Sequence, residues 1–436
     1  MNSDIRIDMN TVPLQVREVM ERLGRRGFSV YLVGGVVRDF LQGREPRDYD
    51  VATGATPDQV CGLFEKVVLT GEKHGTVTVI SGDLSIEVTT LRRDGCYSDS
   101  RRPDTVLFTG NLKEDLSRRD FTINSLAADL DGNVYDFFGG LKDISGRIIR
   151  AVGDPEKRFK EDALRMMRAL RIACQTGFSI EERTLESIRA SRRRIARVSP
   201  ERIREELNDI LVSSLPHRGV ELMKYCGLMG FIVPELDSLQ DLRYTLEMLK
   251  NTPAGLNVRL AALLYVMGAD CPPPEDRGEC RYRRTDNNYN PVEEILDRLK
   301  YDRRTVQSVT AIVRERIAWV DIGLEKSIKK FMARVRPENL EDIFSLWRAS
   351  AAAAGEKGST AAVVALEERA RGILENNLPL RVRDLAINGN DLKAMGIRPG
   401  KEMGRILRSL LDIVLDDPQK NQKVFLIDLV KGWKSL

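Results

Sequence analysis

Gly34-Gly35-Val36-Val37-Arg38-Asp39, followed by Asp48-Tyr49-Asp50, is the stretch on which the reading of this 436-residue chain turns. The run before it, Phe28-Ser29-Val30-Tyr31-Leu32-Val33, is β-branched and aromatic and predicts a strand, whereas Val36 to Gln42 has helical character. The glycine pair therefore falls at a strand-to-helix turn. Glycines there let backbone N–H groups approach an anion, the positive end of the helix adds attraction, and Arg38 can fork onto phosphate oxygens. Read alone, the same pair also describes an ordinary tight turn.

Asp48 and Asp50 are two apart, so on an extended segment both carboxylates project from one face. Carboxylates suit Mg2+, and two such ions about 4 Å apart can activate an attacking hydroxyl and stabilise a leaving pyrophosphate without a protein base. That chemistry suits a chain whose only histidines are His74 and His217. An Asp-x-Asp by itself describes any solvated loop; its place just after Gly-Gly-x-x-Arg-Asp makes it specific.

With these residues in view, the chain resembles the nucleotidyltransferase superfamily that includes tRNA CCA-adding enzymes and bacterial poly(A) polymerases. Further blocks agree in order. Arg118-Arg119-Asp120-Phe121-Thr122-Ile123-Asn124-Ser125 is similar to the second head motif, and Asp136 to Arg150, with Gly140 and Asp143, to the head-to-neck connector. Glu161-Asp162-Ala163-Leu164-Arg165 resembles the base-selecting motif, and Glu201-Arg202-Ile203-Arg204-Glu205-Glu206-Leu207 the helix that supports it. The resemblance implies Asp48 and Asp50 as catalytic metal ligands for Mg2+. It implies nucleotide contacts at Gly34, Gly35, Arg38, Arg119, Asp120, Asn124, Asp162, Arg165, Arg168 and Arg171.

The base-selecting residues have a chemistry of their own. Arg158 to Ile172 has helical composition, which predicts Asp162 and Arg165 on one face. A carboxylate only accepts hydrogen bonds and a guanidinium only donates them. Cytosine and adenine offer an exocyclic amine beside a ring-nitrogen acceptor, and uracil and guanine reverse both. One Asp/Arg pair can thus accept CTP and ATP while mismatching UTP and GTP, at a cost of roughly 1 to 3 kcal/mol per group. Arg168 and Arg171 continue the spacing as a basic stripe suited to phosphates, or as a solvated helix face balanced by Glu161 and Asp162.

Thr76 to Ile80 and Ser85 to Thr90 read as strands joined at Gly82-Asp83, a hairpin on which Glu87 is a candidate third metal carboxylate or an exposed strand residue. Arg92 to Pro103 is polar and densely charged and predicts a mobile loop. The loop resembles the flexible element of enzymes that add the terminal A, which favours CCA or A addition over CC addition. The poly(A) branch tends to carry a basic stretch where this chain has Thr70-Gly71-Glu72-Lys73-His74-Gly75. That departure weakens the poly(A) alternative without removing it.

Sixty-nine basic against 65 acidic residues give a net charge of only +4, so any RNA surface must come from local clusters. Ser191 to Arg197 and Arg281-Tyr282-Arg283-Arg284 are such clusters, or solvated faces. Six cysteines without C-x-x-C spacing predict neither a disulfide framework nor a structural zinc, and point to a reducing compartment. The amino terminus lacks a signal pattern and no apolar run is long enough to span a membrane, which predicts a cytoplasmic protein.

Past Arg150 the strand signals stop and helical periodicity takes over. The expected fold is α+β: a mixed-sheet head at 1–150 carrying metal and triphosphate, a helical neck at 151–215 for base selection, a body at 216–330 and a tail at 331–436. Cys271 to Asn290 is an irregular insertion, and Gly355 to Gly358 breaks two helices. Some relatives carry a phosphohydrolase His-Asp pair; the comparable helix here, Leu260 to Gly268, has none. Leu385 to Lys401 resembles the family's tRNA-gripping tail, and Pro399-Gly400 opens a helix with Lys401, Arg405 and Arg408 near one stripe. The resemblance therefore implies an enzyme that adds CCA, or its terminal A, to the tRNA acceptor end from CTP and ATP. A poly(A) polymerase, a CC-adding relative and a catalytically silent RNA-binding protein are the alternatives.

Overall fold

The computed structural model describes residues 2–71, 75–94, 106–268, 290–317, 320–335, 337–355, 357–376 and 378–434. The chain divides into two compact units, Met1–Leu239 and Gln240–Leu436. His74, most of the charged loop after Arg92, residues 271–289 of the insertion with its Arg281–Arg284 cluster, and Cys96, Cys271 and Cys280 lie outside the described residues.

The first unit opens on a mixed sheet built from β1 (Asn2–Arg6), β2 (Val30–Val33), β3 (Tyr49–Thr53), β4 (Val67–Gly71), β5 (Thr76–Ser81) and β6 (Leu84–Thr90). A short side ladder, β7 (Arg92–Asp94) with β8 (Val106–Phe108), precedes the last two sheet strands, β9 (Leu126–Ala128) and β10 (Asn133–Asp136). The eight-strand order is β1-β10-β9-β2-β3-β6-β5-β4, with β3 and β6 parallel and every other neighbour antiparallel. The expected hairpin closes at Gly82, whose φ is +62°.

Period-two alternation sorts the side chains of these strands. Leu32, Tyr49, Val51, Val77, Val79, Ile86 and Val88 enter one apolar core, with Val16, Val19, Met20 and Leu23 from one stripe of α1 (Leu14–Arg25). Val33, Ala52 and Ala127 face the other way into a smaller cluster with Leu112 and Leu116. Asp50, Glu87 and Thr78 alternate with the first set and so share the face opposite the main core.

Asp136 turns the chain out of the sheet: its carboxylate accepts the N–H groups of Phe138, Gly139, Gly140 and Leu141 at 2.8–3.1 Å. Asp143 then accepts from Thr122 Oγ1 at 2.7 Å and Arg150 Nε at 3.0 Å, tying the connector to the second head motif. Strand structure does not end at Arg150 as the periodicity predicts. Ile148–Ile149 pairs in parallel with Ser179–Ile180, a two-residue ladder too short to leave a period-two pattern. The remainder of this unit is helical.

In the second unit every named element is helical, among the described residues. Its core includes Phe331, Phe344 and Trp347, ring centroids 5.2–6.2 Å apart, and the Trp347 indole N–H donates to the Glu315 carbonyl at 3.1 Å. Gly355, at φ +73°, ends the helix Leu340–Ala354 before Lys357–Glu375 begins, and Lys401–Asp416 starts just after Pro399-Gly400 as its sequence predicts.

Candidate active site

Helix α2 (Gly35–Leu41) begins where β2 ends, and Gly34 makes the turn with φ +86°. The fit is close. A Cβ at Gly34 would stand 2.9 Å from Arg119 Nη1 and 3.3 Å from Asp50 Oδ2. The Arg119 guanidinium and the Asp50 carboxylate therefore both crowd the Cβ position of the turn, which only a glycine leaves open.

Asp48 is exposed just before β3, Tyr49 is buried in the core and Asp50 is partly buried, so both carboxylates lie on the open face. In the parallel pairing of β3 and β6 the register partner of Asp50 is Glu87. Burial pushes the Asp50 carboxyl above the usual carboxylate range; Arg119 and Arg168 draw it down and Asp48 raises it. Burial likewise raises Glu87, reinforced by Asp50 and Asp48. Among the described residues no group of three His, Cys, Asp or Glu side chains is gathered closely enough to hold a metal ion, so Glu87 is a neighbour of the aspartate pair and not part of a preformed three-ligand site.

The second head motif wraps the same cleft. Arg38 Nη1 donates to Asn124 Oδ1 at 2.8 Å, and Asn124 Nδ2 donates to Asp120 Oδ1 at 3.3 Å. Asp120 Oδ2 takes Arg168 Nη1 at 3.1 Å. Burial would raise the Asp120 carboxyl, but the charges of Arg168 and Arg165 and the bonds from Phe121 N–H and Asn124 outweigh it and hold it below the ordinary range. Arg171 reaches Glu206 Oε2 through Nε at 2.6 Å and Gln175 Oε1 through Nη1 at 3.2 Å.

The segment expected to select the base departs from the expected single helix. α6 (Pro155–Glu161) stops at Asp162, which is extended at φ −145°, and α7 begins at Arg165 and runs to Thr176. The cause is local: the Asp162 side chain accepts the Leu164 N–H at 3.0 Å, a turn that competes with helix propagation. Asp162 and Arg165 consequently do not share a helix face. Asp162 pairs with Arg202, Oδ2 to Nη2 at 2.7 Å, from α9 (Pro200–Val212), the expected supporting helix. Arg165 is buried, bound to Glu161 Oε2 at 2.9 Å and to the Arg118 carbonyl at 3.0 Å.

A cleft of about 870 Å³ is lined by Gly34, Gly35, Arg38, Asp48, Asp50, Arg119, Asp120, Asn124, Arg165, Arg168 and Arg171. Asp162 alone of the expected site residues is absent from that lining. The sequence did not single out Asp115, Gln175 or Asp209. Asp209 and Gln175 line the cleft, and Asp115 carries the i, i+3 and i, i+4 spacing that brings it to Arg118 and Arg119.

Around the cleft, helices pack tightly. A Cβ at Gly219 would meet Ile210 Cγ2 at 2.3 Å and Cys174 Sγ at 2.8 Å, so only glycine permits this approach to α7 and α9. No described helix is long and apolar enough to cross a membrane.

Residues 30–150 match the family described as the Poly A polymerase head domain, 177–240 the probable RNA and SrmB-binding site of polymerase A, and 285–430 the putative tRNA nucleotidyltransferase domain 2. The CCA-adding enzyme of Lactobacillus helveticus is 34% identical over 421 residues, 96% of each chain. That of Lactobacillus delbrueckii subsp. bulgaricus is 36% identical over 97% of this chain and 99% of its own. The crystal structure of the Bacillus stearothermophilus CCA-adding enzyme in complex with CTP superposes with a TM-score of 0.74 at 28% identity, covering 97% of this chain and 98% of that one. On the strength of these full-length matches and of the head motifs gathered around one cleft, the chain belongs to the CCA-adding enzyme family of nucleotidyltransferases.

Proposed function

We propose that this chain adds CCA to the 3′ end of tRNA, taking CTP and ATP in turn without a nucleic-acid template. The observation that carries the reading is the convergence of the Gly34-Gly35 turn, two aspartates and the guanidiniums of Arg38, Arg119, Arg168 and Arg171 on one cleft of about 870 Å³. That volume suits a nucleoside triphosphate. The polyanion is bound by the turn and the arginines, while Asn124 and Asp120 fix Arg38 and Arg168 in their orientations.

Asp48 and Asp50 make no hydrogen bond or ion pair among the described residues, and burial raises Asp50 against the pull of Arg119 and Arg168; hard oxygen donors of this kind fit Mg2+. Bound there, Mg2+ would activate the tRNA 3′ hydroxyl toward the α-phosphate and neutralise the departing pyrophosphate. Asp162 and Arg165 choose the base, Asp162 accepting from the exocyclic amine of C or A and Arg165 donating to the ring nitrogen. Both are held by protein partners, so base recognition shares or exchanges those bonds. In this scheme residues 1–150 hold metal and triphosphate, 151–215 read the base, and 216–330 with 331–436 grip the tRNA, Lys401, Arg405 and Arg408 facing its backbone.

The test is incorporation of labelled CTP and ATP into tRNA lacking its last three nucleotides, tRNA ending in CC, and an unstructured RNA, with Asp48→Ala as control. Both nucleotides entering the first substrate, only ATP the second, and neither the third is the expected pattern. ATP entering the second substrate while neither nucleotide enters the first identifies an A-adding enzyme, and long A tracts on the third a poly(A) polymerase. An Asp48→Ala variant of near-normal turnover would overturn the metal assignment.

A further inference from the structure

Asp115 lies in α4 (Leu112–Ser117), fully buried, and holds none of the roles assigned above. Its Oδ1 accepts from Arg118 Nε at 3.0 Å, from Arg118 Nη2 at 2.8 Å and from the Arg92 backbone N–H at 3.2 Å. Its Oδ2 faces Arg119 Nη2 at 3.5 Å. A carboxylate taken out of water is costly unless charge and hydrogen bonds replace its hydration. Hydrogen bonds from Arg118 and the Arg92 N–H satisfy Oδ1, while Oδ2 accepts none among the described residues and has only the charge of Arg119 beside it; although burial pushes the Asp115 carboxyl up, these groups hold it below the ordinary range.

The consequence falls on Arg119. Its Nη1 stands 2.9 Å from the point a Gly34 Cβ would occupy, and that point is 3.3 Å from Asp50 Oδ2. The other arginine matters too: the Arg118 carbonyl receives Arg165 Nη2 at 3.0 Å. One buried carboxylate thus fixes two consecutive residues, of which one faces the triphosphate turn and the other anchors the base-selecting arginine.

We propose that Asp115 is a positioning residue for nucleotidyl transfer, holding the Arg119 guanidinium against the Gly34 turn beside Asp50 before the triphosphate arrives. The inference rests on the reading of Arg119 as a nucleotide contact. Arginine side chains lose much rotamer freedom when they bind a phosphate, and a guanidinium fixed in advance has less to lose. Because the triphosphate is common to CTP and ATP, the effect is the same for both.

The experiment is a double-mutant cycle in the full-length chain, with kcat and KM measured separately for CTP and ATP on tRNA lacking its last three nucleotides. Asp115→Asn keeps the acceptor for Arg92 but removes the charge, and is expected to lower kcat/KM by about 10- to 100-fold for both nucleotides alike. Arg119→Ala costs more, and adding Asp115→Asn to it costs much less than Asp115→Asn costs alone, the remainder passing through Arg118. Losses that multiply would overturn the proposal, because a merely structural role acts independently of Arg119. Should Asp115→Asn fail to fold, Asp115→Glu keeps the charge while displacing both guanidiniums, and it must show the same dependence on Arg119. Arg119→Ala at wild-type efficiency would instead remove the underlying reading of Arg119, a failure the cycle distinguishes from the first.

Discussion

Asp162 and Arg202, forty positions apart in sequence, form a two-bond ion pair, Oδ2 to Nη2 at 2.7 Å and Oδ1 to Nη1 at 3.3 Å, that ties the break between α6 and α7 to the start of α9. The carboxylate assigned to base selection is thus oriented by a neighbour. Oδ1 already accepts from the Leu164 N–H and Arg202 Nη1, but Oδ2 accepts, among the described residues, only from Arg202 Nη2 and so keeps a lone pair for a base amine while still held.

Arg202→Ala therefore releases Asp162 without touching the base. Discrimination against UTP relative to CTP is expected to fall by about tenfold, the equivalent of one hydrogen bond to a charged group. Relative kcat/KM for the two nucleotides checks it, and unchanged discrimination would show that Asp162 needs no such support.

Gly34→Ala addresses the turn itself. The φ of +86° disfavours any side chain, and the new methyl group would enter the space between Arg119 and Asp50. Stability is expected to fall by about 1 kcal/mol. Activity should fall by about 100-fold, because displacing a contact by about 1 Å is enough for that. Comparing thermal melting with turnover separates the two; a loss of stability alone would mean that the turn does not cradle phosphate.

The strand-turn-helix at Gly34, the hairpin at Gly82 and the aspartate pair were legible because each depends on neighbours in sequence: β-branched runs, glycine at positive φ, and period two. The break at Asp162 was not, since Arg158 to Ile172 has good helix formers throughout and only the Asp162 side chain's capture of the Leu164 N–H interrupts it. The ladder of Ile148–Ile149 with Ser179–Ile180 escaped notice for want of length. Partnerships such as Arg168 with Asp120, or Arg171 with Glu206, join residues tens of positions apart. A sequence can name those residue types and the faces they occupy, but it cannot pair them until the helices are packed.

The buried Asp120 predicts a pH signature. Its pKa is depressed in the folded chain, so the stability it contributes is fully present above the ordinary carboxylate value of 3.8 and is lost as the pH falls from there through the folded value. Asp120→Asn should cost about 1.5–3 kcal/mol at pH 7, the worth of hydrogen bonds to a charged group. The gap between variant and wild type should then narrow below about pH 4. Urea unfolding of both chains across that range is the measurement, and a gap independent of pH would show that the Asp120 charge is not what Arg168 and Arg165 stabilise.

Cys174 and Cys226 provide a test of the helical packing behind the cleft. Both are buried free thiols, and burial pushes Cys174 up to about 12 and Cys226 to about 11, against smaller opposing pulls from Arg218 and Arg189. Thiolate, the reactive form, is then present at pH 8 in only about one molecule in a thousand or fewer. Iodoacetamide that fully alkylates glutathione should leave the peptides carrying these two cysteines unmodified in the native chain, and modify both once urea unfolds it. The Gly219 approach adds a prediction of its own: Gly219→Ala forces a methyl group against Cys174 Sγ and Ile210, so it should loosen α7 from its neighbours and raise the native labelling of Cys174. Labelling of Cys174 at the same rate in both chains would mean that the helices absorb the extra volume without opening.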